Sequence, residues 1–427
     1  MFVSVANKLV AGWQSPNAKI KHVVGTFFPR SESGSRDGTR TAQAQEGGRP
    51  VQASVDTPSR VRHLPDMGKS GETSRIQSFH GLRGIMAWWV VAGHVSLALA
   101  WKLPLIDRNT LAVDVFILLS GFVIAMLIDR KDEAYPAYIV RRAFRLFPLY
   151  LPVLAISTLL LGVQAEAWAS LPPTDANLNR MALAEQAIKA LPSHLFIHIP
   201  LLQGLVPLSF ADNPAYTIVG QAWSISLEWQ FYLLAPFLVG AMLRQRWLVA
   251  AAIVGGLLAL APLFTGAFLG AKILLFAIGI ATHVSTKPGA SGASAVIGLI
   301  CALGAIAVDG FAQLIPLLLW AAVVFSSRQP TKSVFHLPAR LLGARIPSHM
   351  GDISYSIYLL HMIPLYGIAY LCAAFGLAGT LAQAAIAVGT IVLTYLGSLA
   401  TYAAIEKPGI AAGARVARGR AGTAPSV

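Results

Sequence analysis

The chain has 427 residues, of which 55% are hydrophobic and 12% charged, with a mean hydropathy of +0.62. A soluble domain carries about 25% charged residues, so this composition excludes an ordinary soluble enzyme. The formal net charge of +14 would suggest a nucleic-acid partner in a soluble protein. Here membrane topology accounts for much of it, because basic residues collect in cytoplasmic loops, and no nucleic-acid partner is expected. The two cysteines, Cys301 and Cys372, lie in apolar runs. They fit neither a metal spacing nor a disulfide framework.

Residues 1–74 are rich in Ser, Gly, Gln, Arg and Pro and read as a disordered basic leader. No long apolar region ending in small residues marks a cleavable signal peptide. Met67 opens the short polar lead-in MGKSGETSRIQSF, so translation starting at Met67 is an alternative reading of the leader. The membrane domain is expected over 75–408, and a disordered basic cytoplasmic tail over 409–427.

Apolar runs of about 18–20 residues recur from Gly84 to Ile405, each long enough to span a bilayer as a helix. The fold class is therefore all-α, a polytopic bundle. Ten spans are predicted near 84–103, 111–128, 144–163, 222–243, 247–265, 267–284, 294–309, 311–327, 353–375 and 380–404. Loop charges alternate to match. The even loops hold Arg130, Lys131, Arg141, Arg142 and Arg145, then Arg244 and Arg246, then Lys287, then Arg328, Lys332, Arg340 and Arg345. The odd loops are poor in Lys and Arg, and the long third one, 164–221, is neutral to acidic. This places both termini in the cytoplasm of a multi-pass inner-membrane protein.

Polar residues inside the runs carry the functional reading. In FHGLRGIMAWWVVAGHVSLALA, Arg83 and His94 lie about 20° apart on one helix face and roughly 16 Å apart along it. A charge at mid-membrane costs roughly 2.5–3.5 kcal/mol, so such groups mark functional interiors. Arg83 also fits a boundary anchor, and His94 a neutral helix–helix hydrogen bond. A neutral imidazole is equally a general base.

In YIVRRAFRLFPLY, Arg141, Arg142 and Arg145 stand at a cytoplasmic mouth, with Arg142 and Arg145 at i and i+3. Guanidinium groups suit bidentate phosphate binding, although topology alone also explains them. LAVDVFILLSGFVIAML offers Asp114, Ser120 and Gly121. Asp114 reads first as a helix N-cap, then as a substrate contact. In QAWSISLEWQFYLLAPF, Gln221, Ser224 and Glu228 share a face, and Glu228 reaches the expected depth of His94. A Glu228–His94 pair would orient the imidazole and stabilise its charged form, as in a hydrolytic dyad. In DISYSIYLLHMIPLY, Ser354, Tyr358 and His361 share a face, with His361 a second intramembrane imidazole. Asp114, Ser120, Ser224, Tyr358 and His361 are the substrate-lining candidates.

Five ordered blocks resemble the membrane-bound acyltransferase-3 family of bacterial sugar O-acyltransferases. The family's F-x-G-L-R-G-x-A followed by a histidine eleven residues after the arginine is matched by Phe79, Gly81, Leu82, Arg83, Gly84 and His94. Its other blocks are VDVFILLSGF, RRAFRLFP, WSISLEWQFY and ISYSIYLLH here, with a terminal Glu406-Lys407-Pro408. His80 and Ile117 depart from the usual pattern. The resemblance spans roughly 76–408 and leaves the leader out. It implies ten helices and transfer of an acyl group, often acetyl, from acyl-CoA to a hydroxyl of a glycan or small molecule. It assigns activity to Arg83, His94, Arg142 and Arg145.

The expectation is then a catalytic set of His94, Glu228 and Arg83, with Arg141, Arg142 and Arg145 holding acyl-CoA as donor co-substrate and no metal. His94 acts as base or as covalent relay. Membrane lipid surrounds the bundle. The acceptor is open among lipopolysaccharide, capsule or exopolysaccharide sugars, a lipo-oligosaccharide and a macrolide. The rival reading is a proton-coupled transporter or flippase of glycan- or lipid-like substrates, with His and Glu as relays.

Overall fold

The computed structural model describes residues 67–421, apart from 132, 211, 212 and 288. The leader up to residue 66 and the last six residues lie outside the described part, as do the readings made of them. Among the described residues all regular structure is helical, with one isolated bridge, Pro207 to Phe264. The helices are α1 Met67–Leu99, α2 Thr110–Arg130, α3 Tyr135–Leu159, α4 Leu161–Ser170, α5 Asp175–Lys189, α6 Leu191–His198, α7 Trp223–Leu243, α8 Trp247–Leu260 and α9 Leu269–Ser285. There follow α10 Gly292–Asp309, α11 Leu314–Arg328, α12 Leu337–Leu342, α13 Arg345–Asp352, α14 Ser354–Leu360, α15 Met362–Ala374, α16 Gly379–Thr401 and α17 Lys407–Ala421.

Seven of the described helical segments are long and apolar enough to cross a membrane, and eight if α3 and α4, bent by 67°, form one span. Two shorter apolar segments, Trp247–Leu263 and Leu269–Ser285, fall below that length. Each of the ten apolar runs read from sequence is a helix or helix pair, because in lipid a helix satisfies its own backbone groups. Exposed apolar side chains mark the outward faces. On α10 these are Val296, Leu299, Ile300 and Leu303, and on α16 Leu381, Val388, Ile391 and Leu396. Such continuous apolar surface is compatible with lipid and not with water.

The interior is built on α2, α7 and α9, where Leu118, Phe122, Phe231 and Phe276 are fully buried. The Phe231 and Phe276 rings stack at 4.0 Å between centroids. Helices α2 and α9 meet through glycine: a Cβ on Gly121 would strike the Phe276 backbone, and one on Gly279 the Leu118 and Phe122 backbone. With no hydrophobic drive between helices in lipid, close backbone approach is what holds such a pair.

Three differences from expectation stand out. Residues 67–74, assigned to the leader, open α1. The tail expected to be disordered from 409 is helical through Ala421, because Gly409 and Gly413 let α17 lie directly against Pro148 and Phe144 of α3. The third loop, read from sequence by its charge alone, folds largely as the helices α4, α5 and α6. Asn177 of α5 ties it to the bundle by donating to the Ala98 carbonyl at 2.9 Å.

Candidate functional site

Helices α1, α2, α3, α7, α9 and α14 surround a cavity. Its polar lining is Arg83, Ser120, Arg142, Arg145, Ser224, Glu228, Tyr232, Ser354, Tyr355 and Tyr358, and Val113, Phe116, Ile117 and Phe276 supply apolar wall. Six of the sequence candidates therefore converge: Arg83, Ser120, Arg142, Arg145, Ser224 and Glu228, with Tyr358 as a seventh.

The groups hold one another. Glu228 accepts from Ser120 Oγ at 3.2 Å and from the Tyr232 hydroxyl one turn on. The Arg142 guanidinium lies over the Tyr232 ring at 5.6 Å and the Tyr138 ring at 5.9 Å. Aromatic faces thus hold this cation. Arg145 is ion-paired with Glu406 and sits 5.2 Å over the Tyr355 ring. Ser224 Oγ and the Tyr358 hydroxyl are 2.6 Å apart, and Tyr358 donates to the Gln221 carbonyl at 3.0 Å. Three guanidinium groups against Glu228 and Glu406 leave the pocket suited to an anion.

Glu406 was missed as a site residue, although it stands in the terminal Glu-Lys-Pro block. It lies in a π-helical turn, Tyr402–Glu406, that joins α16 to α17. Pro408 has no N–H to continue the α-helical pattern, and the widened turn carries the carboxylate inward. Glu406 is 2% exposed and also accepts from Ser356 Oγ at 2.8 Å.

His94 is placed elsewhere. It is not among the residues lining this cavity. The expected Glu228–His94 pair is not made, because Glu228 turns to Ser120 and Tyr232. Instead Arg180 of α5 donates to His94 Nδ1 at 2.9 Å, and the His361 ring stands 5.1 Å away, centroid to centroid. Arg180 also covers Trp168 at 4.9 Å and donates to Asn177 at 3.2 Å. Burial pushes Arg180 down to about 10, so it remains a cation at neutral pH. A single arginine in a polar stretch gave no signal of this role in the sequence, since the contact joins positions 86 apart.

His361 likewise lines neither described cavity. It sits at the break between α14 and α15, three residues before Pro364, whose ring disfavours a continuous helix there. Its Nδ1 is 2.7 Å from the Tyr358 carbonyl. A smaller cavity is lined by Arg180, the partner of His94, and Met362, the neighbour of His361, with Ser157, Gln164, Trp168, Gln221 and Tyr366 among others. Tyr358 lines the larger cavity and its acceptor Gln221 the smaller.

Two further candidates lie apart. Asp114 lines neither described cavity and is no N-cap. It is buried one turn inside α2, 3.1 Å from Lys272 and 2.9 Å from Gln313 Nε2, and Lys272 also binds Asp309 at 3.0 Å. A buried carboxylate is stable only with such partners, and here Lys272 of α9 and Gln313, in the short turn Phe311–Gln313 before α11, supply them. Arg141 points away from the cavity to Glu133, at 2.6 Å. Cys301 and Cys372 are free and buried.

A family model described as an acyltransferase domain matches residues 76–403. No curated protein and no solved structure matches the chain.

Proposed function

The chain belongs to the acyltransferase family defined by that domain, and from this premise we propose that it moves an acyl group, acetyl foremost, from acyl-CoA to a hydroxyl of a cell-surface or secreted glycan. It is a multi-pass membrane protein. The reading places it in the inner membrane with ten spans and both ends in the cytoplasm, α8 and α9 crossing as short helices.

The observation that carries the donor assignment is the convergence of Arg83, Arg142 and Arg145 on one cavity. The phosphates of acyl-CoA would meet Arg142 and Arg145 at the cytoplasmic mouth, with Arg83 deeper. Arg141, bound to Glu133, drops out of the first contacts. The thioester would then reach the Tyr358–Ser224 end, next to the histidine pair. The acceptor would enter from the opposite side, past α4, α5 and α6, toward the smaller cavity. There its hydroxyl oxygen attacks the thioester carbonyl carbon, the C–S bond breaks, and the hydroxyl proton passes through an imidazole to the leaving thiolate. Glu228 would order the arginine end through Tyr232 and Ser120.

The test is turnover by purified protein in lipid. With acetyl-CoA and glycan acceptors, wild type is expected to release CoA in step with acyl ester formed. His94→Ala should abolish transfer while the protein still folds and binds donor. A folded, fully active His94→Ala protein would discard the imidazole, and a protein that moves substrate across vesicles without cleaving thioester would replace the reaction by transport.

A further inference from the structure

The two imidazoles are not equivalent. An arginine side chain has only donors, so its bond to His94 Nδ1 requires a lone pair there. A neutral His94 therefore carries its proton on Nε2 and offers that nitrogen as a donor. A backbone carbonyl only accepts, so the contact from the Tyr358 carbonyl requires a proton on His361 Nδ1. A neutral His361 therefore has its lone pair on Nε2. That nitrogen has no hydrogen-bond partner among the described residues, and the residue is wholly buried. A buried acceptor left unmatched is costly and calls for a ligand atom.

We propose that His361, through Nε2, is the base that takes the acceptor hydroxyl proton, while His94 presents an N–H donor fixed by Arg180. The proposal rests on the acyl-transfer reading above. A hydroxyl group both donates and accepts, which matches one N–H and one lone pair on rings 5.1 Å apart. Charge points the same way. The Arg180 cation opposes a charge on either ring, but protonating His94 at Nδ1 also breaks its direct bond to Arg180, whereas a protonated His361 keeps its Nδ1–H on the Tyr358 carbonyl. In the step, the hydroxyl proton moves to His361 Nε2 as the oxygen bonds the carbonyl carbon. The C–S bond breaks, and His361 returns that proton to the thiolate sulfur. His94 Nε2–H, which first holds the acceptor hydroxyl, donates to the thioester carbonyl oxygen as the negative charge develops there. Arg180 is a positioning residue, supplied by α5.

Isosteric amides separate the roles. His361→Asn keeps a donor near the Nδ1 position, hence the bond to Tyr358, and lacks the Nε2 lone pair. His94→Gln keeps an N–H near the Nε2 position. With acetyl-CoA as donor, in lipid, His361→Asn is expected to lose about 100-fold or more in kcat with an unchanged donor dissociation constant. His94→Gln should retain at least about tenfold more kcat than His94→Ala. His361→Gln, which also lacks a base, should be as slow as His361→Asn and gives the same reading if the Asn variant does not fold. A folded His361→Asn or His361→Gln protein within threefold of wild type would overturn the proposal, as would a His94→Gln protein no faster than His94→Ala. Failure of wild type itself to cleave the thioester would instead remove the acyl-transfer reading on which it rests.

Discussion

The ion pair between Arg145 and Glu406 joins the start of the chain's third apolar segment to its last turn, and its removal has a calculable cost. Glu406 is 2% exposed, and both oxygens are engaged, one by Arg145 and the other by Ser356 at 2.8 Å. Glu406→Leu leaves a guanidinium and a buried hydroxyl without their acceptor. Breaking a buried pair from one side costs about 3–5 kcal/mol, and a lost hydroxyl partner about 1 kcal/mol. The folding equilibrium should fall by about 10³–10⁴-fold. Arg145→Met strands the carboxylate and should cost a similar amount. The double variant removes both charges and should recover most of the loss, because an apolar pair of similar volume is often close to neutral. Equilibrium unfolding of the four proteins in bicelles measures this. The coupling is expected above about 1.5 kcal/mol. Singles that each cost under about 1 kcal/mol, or a double equal to their sum within about 0.5 kcal/mol, would refute the reasoning.

Three further outcomes follow from other parts of the fold. Arg142→Ala should weaken acyl-CoA binding by about 10–100-fold, the worth of one charged hydrogen bond, and unchanged affinity by calorimetry would leave Arg142 a topological residue. Gly279→Ala sets a methyl against the backbone at Leu118 and Phe122, so it should destabilise by about 1–3 kcal/mol in the same bicelle assay, and a neutral result would mean that α2 and α9 separate freely. His198 is buried in the α4–α6 region, 3.0 Å from the Pro214 carbonyl and 3.1 Å from Thr217, and burial pushes it down to about 4. Its neutral form is the folded one, so its contribution is complete above pH 6.5 and is lost as the pH falls toward 4, up to about 3 kcal/mol. Hydrogen exchange in 191–217 should rise over that window in wild type and be flat in His198→Gln.

The legible part of the site is the part that repeats a local rule. Arg142 and Arg145 are i and i+3 on one helix, and Ser224 and Glu228 are i and i+4, so helical geometry alone brings each pair to one face. That Ser120 and Tyr358 join them was readable as shared polarity in apolar runs, and that Arg83 does from the family resemblance as well. The Glu228–His94 pairing failed for a local reason too: the Tyr232 hydroxyl, one turn along the same helix, reaches the carboxylate first. Asp114 was misread because its partner Lys272 lies 158 positions away, on a helix whose approach is set by Gly121 and Gly279.

By itself the sequence determined the helical class, the apolar segments and the family, because a membrane span must satisfy its backbone internally and leaves a long apolar run as its trace. Tertiary structure decided which polar groups meet. Arg180 to His94, Glu406 to Arg145 and the proton positions of the two imidazoles depend on where a polar outer helix docks and on where prolines break a span. These are single contacts between distant positions, with energies that no local pattern of residues encodes, and in a low-dielectric interior they settle which groups are charged, paired and open to a ligand.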